Sequence, residues 1–331
     1  MFLANIQLEN FRGIEELNLD FVCAGKSKEL RKWTVILGEN GMGKSNILKA
    51  IALVTAGSKG LGELLGNPSN WVSYGKKSCL IAATILTPKA TLQDISLRIE
   101  QGDKLKEVLS KNAESLRFLD EKLDEKSADY FLVGYGPYRR LADKTETTSS
   151  NDFYQQIRSK RTSSLFNRGV TFHSIETWAM DLTSKELKTV GESLNQSLPD
   201  INFHSLDKAN KTLLFETSNG IIPLGLLSDG YQNMVVWMGD LLFYIAQVNK
   251  KLKEPFSAKG ILLVDEIAVH LHPSWQRMLV SYLSEILPNF QIISTTNTPL
   301  TAQQVPENCL YYLQKEGSAK VSSKSDHCLS K

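Results

Sequence analysis

The sequence predicts an α/β fold in which β-sheets and helices surround a phosphate-binding loop. Three observations predict it: alternating polar and apolar residues open the chain, a glycine-rich loop lies between an apolar run and a helical pattern, and two later apolar runs end in polar side chains. Alternation predicts half-buried strands, and apolar residues that recur every three or four positions predict helices. The 331 residues, 42% of them hydrophobic, have the composition of a globular protein.

The opening 21 residues predict two strands with one buried face, which turn at Arg12-Gly13. The next element is the loop from Gly38 to Ser45, which reads G-E-N-G-M-G-K-S and fits the G-x-x-x-x-G-K-S pattern. An apolar run before it predicts a buried strand, and apolar residues at helical spacing behind it predict a helix. Such a loop directs successive N–H groups and a helix N-terminus at one anion, so the pattern predicts a nucleotide site.

Two side chains of this loop have specific predicted roles. We expect Lys44 to reach the β- and γ-phosphates and the Ser45 hydroxyl to bind Mg²⁺. The other predicted nucleotide-binding residues lie in the loop and the first helical turn: Gly38, Asn40, Gly41, Gly43 and Asn46.

The middle of the chain is less regular in pattern. Residues 57–78 are rich in glycine and predict irregular structure. Strands are predicted at 80–87, 95–100, 130–136, 201–204 and 211–216, a helix or helical pair at 104–126, and helices at 174–198 and 232–248. We therefore divide the chain into an ATPase lobe with the phosphate loop (1–140), a polar and basic insertion with a helical region (141–200) and a second ATPase lobe (201–331).

A run of four apolar residues ends in Asp265-Glu266. Such a run predicts a strand buried on both faces, and ligands bind at the carboxyl ends of strands in open α/β sheets. Asp265 is therefore predicted to bind the same Mg²⁺ as Ser45, directly or through one of its ligands. Glu266 is predicted to polarise the water that attacks the γ-phosphate.

The segment Leu227-Ser228-Asp229-Gly230-Tyr231-Gln232 precedes a long apolar helix and the acidic strand. In the order phosphate loop, signature, acidic strand, the chain resembles the ABC-class ATPases, whose signature reads L-S-G-G-Q/E. The resemblance implies an ABC-type P-loop ATPase head with a mixed sheet lobe, an antiparallel β part and an inserted α-helical lobe. It implies a homodimer on ATP, in which Ser228 and the Gly230 N–H bind the γ-phosphate held by the partner's Lys44.

Three further segments resemble AAA-type ATPases of the RecF-like and OLD-like groups: L-E-N-F-R-G at 8–13, H-L-H-P-S-W-Q-R at 270–277 and Q-I-I-S-T-T-N-T-P-L at 291–300. The resemblance makes His270 and His272 packing and interface positions rather than metal ligands. Asn297 stands where these groups carry a switch histidine, and we include it among the catalytic residues with Glu266 and Lys44. Asparagine donates a hydrogen bond but shuttles no proton, so we expect slow hydrolysis.

The compact length and the polar insertion resemble the ATPase subunits of Septu-type and retron-associated defence modules. This implies an ATPase that controls a separate effector, such as a nuclease, in antiphage defence or DNA maintenance. An ATP-binding scaffold with little turnover and a DNA-repair ATPase of the RecF type stay open as alternatives. Direct contact with DNA or RNA would rest on Arg158, Lys160, Arg161 and Arg168. Arg139 is expected either to reach a phosphate or to end a strand turn.

Charge and cysteine content bound these functions. Lys+Arg 38 against Asp+Glu 36 gives a net charge of +2, too balanced for nucleic-acid binding through an overall field. Cys23, Cys79, Cys309 and Cys328 are far apart and predict free thiols of a cytoplasmic protein. No apolar run approaches the roughly 20 residues that span a bilayer, so we expect no membrane association. After Thr301 we expect one strand and a polar tail.

Overall fold

The computed structural model describes residues 1–22, 29–123, 130–139, 157–248, 254–269, 271–316 and 318–323. Its strands are β1 Phe2–Phe11, β2 Ile14–Asp20, β3 Trp33–Gly38, β4 Ser78–Leu86, β5 Leu92–Glu100, β6 Leu132–Tyr135, β7 Asn202–Asp207, β8 Thr212–Thr217, β9 Gly220–Pro223, β10 Gly260–Val264, β11 Phe290–Thr296, β12 Leu310–Glu316 and β13 Ser318–Ser323. Its helices are α1 Lys44–Val54, α2 Gly57–Leu64, α3 Leu105–Lys111, α4 Ala113–Lys122, α5 Ile157–Lys160, α6 Ile175–Asp181, α7 Ser184–Ser197, α8 Asp229–Val248, α9 Pro273–Gln276, α10 Leu279–Ile286 and α11 Pro299–Ala302.

The central sheet has the strand order β13-β12-β3-β11-β10-β6. Strands β12, β3, β11, β10 and β6 run parallel, and β13 is antiparallel to β12. Because β11 lies between β3 and β10, the segments that follow these three strands meet at one edge of the sheet. Those segments are the phosphate loop, the acidic pair and the Asn297 turn. Both predicted ATPase lobes supply strands to this sheet, and the division at residues 140 and 200 stays a prediction.

Side chains of the central strands point alternately into two cores. On β10, Ile261 and Leu263 join the core that contains α1 and the antiparallel sheet, whereas Leu262 and Val264 join the core that contains α8. All four side chains are fully buried. Covering on both faces explains why this strand is an uninterrupted apolar run.

The chain opens with an antiparallel sheet of order β2-β1-β4-β5. The predicted hairpin is confirmed, since β1 and β2 pair antiparallel and the turn residues Arg12 and Gly13 have φ of 46° and 86°. The buried Gln291 side chain of β11 joins this sheet to the central one. Its Oε1 accepts from Leu3 N at 2.8 Å and its Nε2 donates to Leu3 O at 2.7 Å.

Residues 57–78 were predicted to be irregular, and this prediction is wrong in part. They contain α2 and a 3₁₀ turn over Pro68–Trp71. Two glycines serve close packing here rather than a loop. A Cβ on Gly57 would lie 2.5 Å from Asp120 Oδ1 and 2.6 Å from Arg158 Nη1, and a Cβ on Gly60 would lie 3.3 Å from Ala56 Cβ.

Two other predictions of secondary structure are corrected. The helix expected over 174–198 is divided into α6 and α7, because Thr183 begins a new helix through a capping box with Glu186. The Thr183 Oγ1 accepts from Glu186 N at 3.3 Å, and Glu186 Oε2 accepts from Thr183 N at 2.9 Å. In the C-terminal part, β13 pairs with β12, so the single strand predicted after Thr301 is a hairpin.

Within the described ranges, no helix combines the length and apolar character needed to cross a bilayer. Cys79 is a buried free thiol and Cys309 a partly buried one. Cys23 and Cys328 lie outside the described residues.

Candidate functional site

The phosphate loop leaves β3 and enters α1 at the edge of the central sheet. Gly41 and Gly43 have φ of 83° and 92°, a region that only glycine adopts without strain. Gly43 is the N-cap of α1 and makes no side-chain cap, so the start of the helix faces the loop without a competing side chain. Nothing lies within 4 Å of where a Cβ on Gly41 would project. The loop therefore has the backbone geometry that binds phosphate.

The Lys44 side chain is buried, with 5% exposure, and lies in the middle of the loop. Its Nζ donates to Gly38 O at 2.8 Å and Glu39 O at 3.0 Å and lies 3.5 Å from Glu266 Oε1. The structure thus brings the predicted phosphate-binding lysine and the predicted general base into contact. The two residues are 222 positions apart by number, and only the adjacency of β3, β11 and β10 unites them.

Asp265 directly follows β10 and is 2% exposed. Its Oδ1 accepts a hydrogen bond from Thr295 Oγ1 at 2.6 Å, and its N–H donates to Tyr135 O at 2.8 Å. No hydrogen bond joins Asp265 to Ser45 among the residues that the structure describes. Burial lowers the pKa of Lys49, one helical turn beyond Ser45, and the Asp265 charge opposes that change. A hydroxyl and a carboxylate are hard oxygen ligands of the kind that Mg²⁺ prefers.

Glu266 has a left-handed backbone, with φ of 47°, which is unusual for a glutamate. Its N–H donates to Thr295 Oγ1 at 2.8 Å, so one hydroxyl of β11 binds both acidic residues. Thr295 had no predicted role. Its only signal was a polar side chain at the end of an apolar strand beside the acidic one.

Arg139 was expected either to reach a phosphate or to end a strand turn, and the structure shows it in contact with the turn that follows β10; a contact with a phosphate stays a prediction. Its guanidinium is buried and donates through Nη2 to Asp265 O at 3.0 Å and to Glu266 O at 3.1 Å. Burial lowers the pKa of Arg139 to about 10, and the nearby Asp265 and Glu266 charges oppose that change. Arg139 therefore supports, through the backbone, the turn formed by Asp265 and Glu266, which we call the acidic turn.

The remaining predicted site residues are more exposed. Ser228 is exposed and Gly230 partly exposed at the start of α8, and no hydrogen bond or ion pair joins either to the phosphate loop of the same chain within the described residues. Asn297 is exposed directly after β11, where its Oδ1 accepts from Thr298 Oγ1 at 3.3 Å.

Three residues of the phosphate loop and its helix are partly or fully exposed. Asn40 is exposed, whereas Ser45 and Asn46 are partly exposed. The Asn46 Nδ2 lies 3.5 Å from Arg12 O, which places the β1–β2 turn beside the start of α1. Gly38 is close-packed, since a Cβ there would lie 3.2 Å from Leu313 Cβ.

The prediction that Arg158, Lys160, Arg161 and Arg168 form a basic surface for nucleic acid is wrong for two of these four residues. Arg158 and Arg161 are buried, with 5% and 1% exposure. The Arg158 guanidinium lies 4.2 Å from the Tyr130 ring centroid, and that of Arg161 lies 5.0 Å from the Phe131 ring centroid. Only Arg168 of the four is exposed. The guanidinium groups of Arg158 and Arg161 therefore pack against the two aromatic residues that precede β6.

The histidine pair can be described only in part. His270 lies outside the described residues, and the Nδ1 of His272 lies 2.8 Å from Ser274 Oγ at the start of α9. The Tyr231 ring packs edge-on against Trp275, with centroids 4.6 Å apart, so the signature segment contacts the residues that follow the histidines.

The AAA ATPase domain family matches residues 1–129 and 87–300 of the chain. The Septu protein PtuA of Bacillus mycoides (strain KBAB4) is 28% identical over 301 residues, which cover 91% of this chain and 38% of that protein. A retron Vc95 probable ATPase of Vibrio cholerae serotype O1 biovar El Tor is 25% identical over 381 residues, covering 92% and 71% respectively. The crystal structure of an Smc head bound to the C-winged helix domain of ScpA covers 97% of each chain, at 16% identity and a TM-score of 0.55.

The Smc head shows the fold alone, and it confirms the predicted ABC-type ATPase head. The family match and the two relatives confirm the resemblance inferred from the motifs. The chain spans 38% of the length of the Septu relative, so most of that protein has no counterpart in the match.

Proposed function

The chain belongs to the AAA ATPase domain family, and from this premise we propose that it binds ATP with Mg²⁺ and hydrolyses the γ-phosphate slowly. One observation carries the proposal: the buried Lys44 and the carboxylate of Glu266 lie 3.5 Å apart beside a loop with glycine-only geometry. The first group attracts a phosphate, and the second accepts a proton from a water molecule.

Each residue of the site has a proposed role. Lys44 and the N–H groups of the loop bind the β- and γ-phosphates, while Glu266 orients the attacking water and takes its proton. Ser45 and Asp265 would hold Mg²⁺, which would supply positive charge beside the phosphates. Asn297 supplies a hydrogen bond but no proton, so turnover is slow.

We further propose that two copies of the chain dock on ATP through the signature segment. Ser228 and Gly230 are accessible at the start of the 20-residue helix α8 and have no bond to the phosphate loop of their own chain in the described part of the structure. A helix N-terminus attracts anions, so this one suits the γ-phosphate bound by a second copy. The site of each chain would then be complete only in the dimer.

The relatives suggest the setting in which this ATPase works. They are named for a Septu system and for a retron, and from them we propose that the chain controls an effector of antiphage defence, such as a nuclease, carried by another polypeptide. The three-part division of the chain belongs to this proposal, with residues 141–200 as the region nearest in composition to a partner-binding insertion.

Glu266→Gln tests the enzyme proposal. Removing the base is expected to lower ATP turnover by about 10²- to 10⁴-fold, while affinity for a fluorescent ATP analogue stays close to that of the wild type. The ATP-bound dimer should accumulate in light scattering after gel filtration. Glu192→Gln, on an exposed position of α7, is the matched control and should behave as the wild type.

The same experiment addresses the scaffold alternative, which the exposed Asn297 favours. If the wild type and Glu266→Gln show equal trace turnover while both bind ATP and dimerise, the chain is an assembly protein rather than an enzyme. If the wild type stays monomeric with a non-hydrolysable ATP analogue bound, the proposed dimer is wrong.

A further inference from the structure

Arg139 links three elements of the structure that have separate roles in the proposed reaction. It follows β6, it contacts the backbone of the acidic turn after β10, and its Nη1 lies 3.4 Å from Asn233 Oδ1 on α8. The guanidinium also lies 6.0 Å from the ring centroid of Trp237, one helical turn beyond Asn233. Helix α8, which we call the signature helix, begins at Asp229, directly after Ser228. Arg139 therefore contacts both the signature helix and the acidic turn.

The acidic turn is held from both of the strands that flank β10. Thr295 of β11 accepts from Glu266 N, and Arg139 beyond β6 donates to the carbonyl oxygens of Asp265 and Glu266. Together these bonds fix both peptide groups around a residue with φ of 47°. A left-handed glutamate persists only where its surroundings determine it. The direction of the Glu266 side chain therefore depends on where Arg139 lies.

The arginine is bound mainly to backbone oxygen atoms. It forms no ion pair with a carboxylate within the described residues, and its Nε–H is buried without a hydrogen-bond partner there. A guanidinium with a planar fork of donors reaches two carbonyl groups and a side-chain amide at once, which a lysine ammonium does not do in the same geometry. Buried in this way, Arg139 has little freedom to move unless α8 or the acidic turn moves with it.

We propose that Arg139 is a positioning residue that transmits the state of the signature helix to Glu266 of the same chain. The proposal rests on the ATPase dimer described above. When Ser228 binds the nucleotide held by the second copy, a shift of α8 changes the position of Asn233 and Trp237, and through Arg139 the acidic turn. In this way the nucleotide bound by the partner sets the position of Glu266 in each chain. The two sites therefore hydrolyse ATP cooperatively.

Arg139→Lys tests this relay, with Arg98→Lys on an exposed part of β5 as the matched control. We expect the variant to bind a fluorescent ATP analogue within about twofold of the wild type, because the hydrogen bonds of Arg139 in the described residues go to the acidic turn and to α8 rather than to the phosphate loop. Its kcat should fall about 10- to 100-fold through misplacement of Glu266, with KM little changed. Its Hill coefficient for ATP should fall from above one in the wild type to one.

Asn233→Ala separates the relay from simple support of the fold, because it removes only the contact with the helix. It should abolish cooperativity, lower kcat less than Arg139→Lys does, and add nothing to the cooperativity lost in Arg139→Lys. A wild-type Hill coefficient of one would overturn the relay, and so would an Asn233→Ala variant that is as cooperative as the wild type. Both outcomes can be read even if circular dichroism shows that Arg139→Lys does not fold. An equal loss of ATP affinity and kcat in a folded Arg139→Lys would make the residue a nucleotide ligand instead. These outcomes differ from failure of the proposed function, which appears as absent turnover in the wild type.

Discussion

Thr295→Val is the substitution whose effect the structure specifies most closely. The hydroxyl donates to Asp265 Oδ1 at 2.6 Å and accepts from Glu266 N at 2.8 Å, and Thr295 itself is fully buried. Valine has nearly the same shape but neither donates nor accepts. The change therefore leaves a buried carboxylate and a backbone N–H without their partner, while the packing of β11 is kept.

The two lost bonds set the size of the effect. A hydrogen bond to a charged group contributes about 1.5–3 kcal/mol, and a buried N–H left unsatisfied costs about 1–3 kcal/mol. The added methyl group returns about 0.8 kcal/mol if it is fully buried. We expect Thr295→Val to lower the free energy of unfolding by roughly 2–5 kcal/mol. Turnover should fall further, because Glu266 loses the bond that fixes its peptide.

Thr34→Val is the matched control, one strand away in the same sheet. Thr34 is fully buried on β3, and its hydroxyl has no hydrogen-bond partner among the described residues. Replacing an unsatisfied buried hydroxyl by a methyl group should leave the protein as stable or more stable. Urea titration of both variants, with ATP turnover at matched folded fractions, checks the prediction. If the two variants unfold within about 1 kcal/mol of each other, the bonds of Thr295 do not hold the site in solution.

Two further predictions follow from local geometry. Gly43→Ala should raise the Kd for ATP about tenfold or more in a fluorescence titration, because alanine at φ of 92° costs about 1–2 kcal/mol and its Cβ would lie 3.3 Å from Ile14. Gly62→Ala in α2 is the control, since an added Cβ there meets nothing nearer than 3.7 Å, and it should bind ATP normally in the same titration. Burial raises the pKa of the Cys79 thiol to about 12, so this thiol stays protonated and should resist iodoacetamide at about pH 8 in the folded protein while the partly exposed Cys309 reacts. Equal labelling of the two thiols by mass spectrometry would show that the strand carrying Cys79 opens readily.

Local pattern predicted the elements that carry short-range signals. The loop at Gly38–Ser45, the hairpin at Arg12-Gly13 and the buried acidic strand were all predicted, because their residue types determine the backbone within a few positions. The break at Thr183 was missed although its capping box is also local. A continuous apolar stripe on both sides concealed it. Helix α2 was missed for a different reason, since its first glycine, Gly57, is required by Arg158 and Asp120, which are distant in sequence.

The residues that support Asp265 and Glu266 were the part of the candidate site that the sequence did not predict. Thr295 and Arg139 were both visible as residues, but their partners depend on which strands are neighbours. Sheet order places β11 on one side of β10 and β6 on the other, and nothing in a single sequence specifies that order. Arg158 and Arg161 show the same limit. A run of cations in a sequence predicts an exposed basic surface, and only the tertiary packing shows that these two side chains are buried.

The motif around Glu266 is therefore insufficient to produce the geometry that its chemistry needs. A left-handed glutamate costs about 1–3 kcal/mol, and two residues of motif cannot offset that locally. Bonds from Thr295 and Arg139 are of the same magnitude, at about 0.5–3 kcal/mol each. Losing either neighbour thus makes the productive and relaxed conformations of the turn comparable in free energy. Because one neighbour also contacts α8, the balance at the acidic turn is open to change from the signature helix, which is the property that the proposed dimer requires.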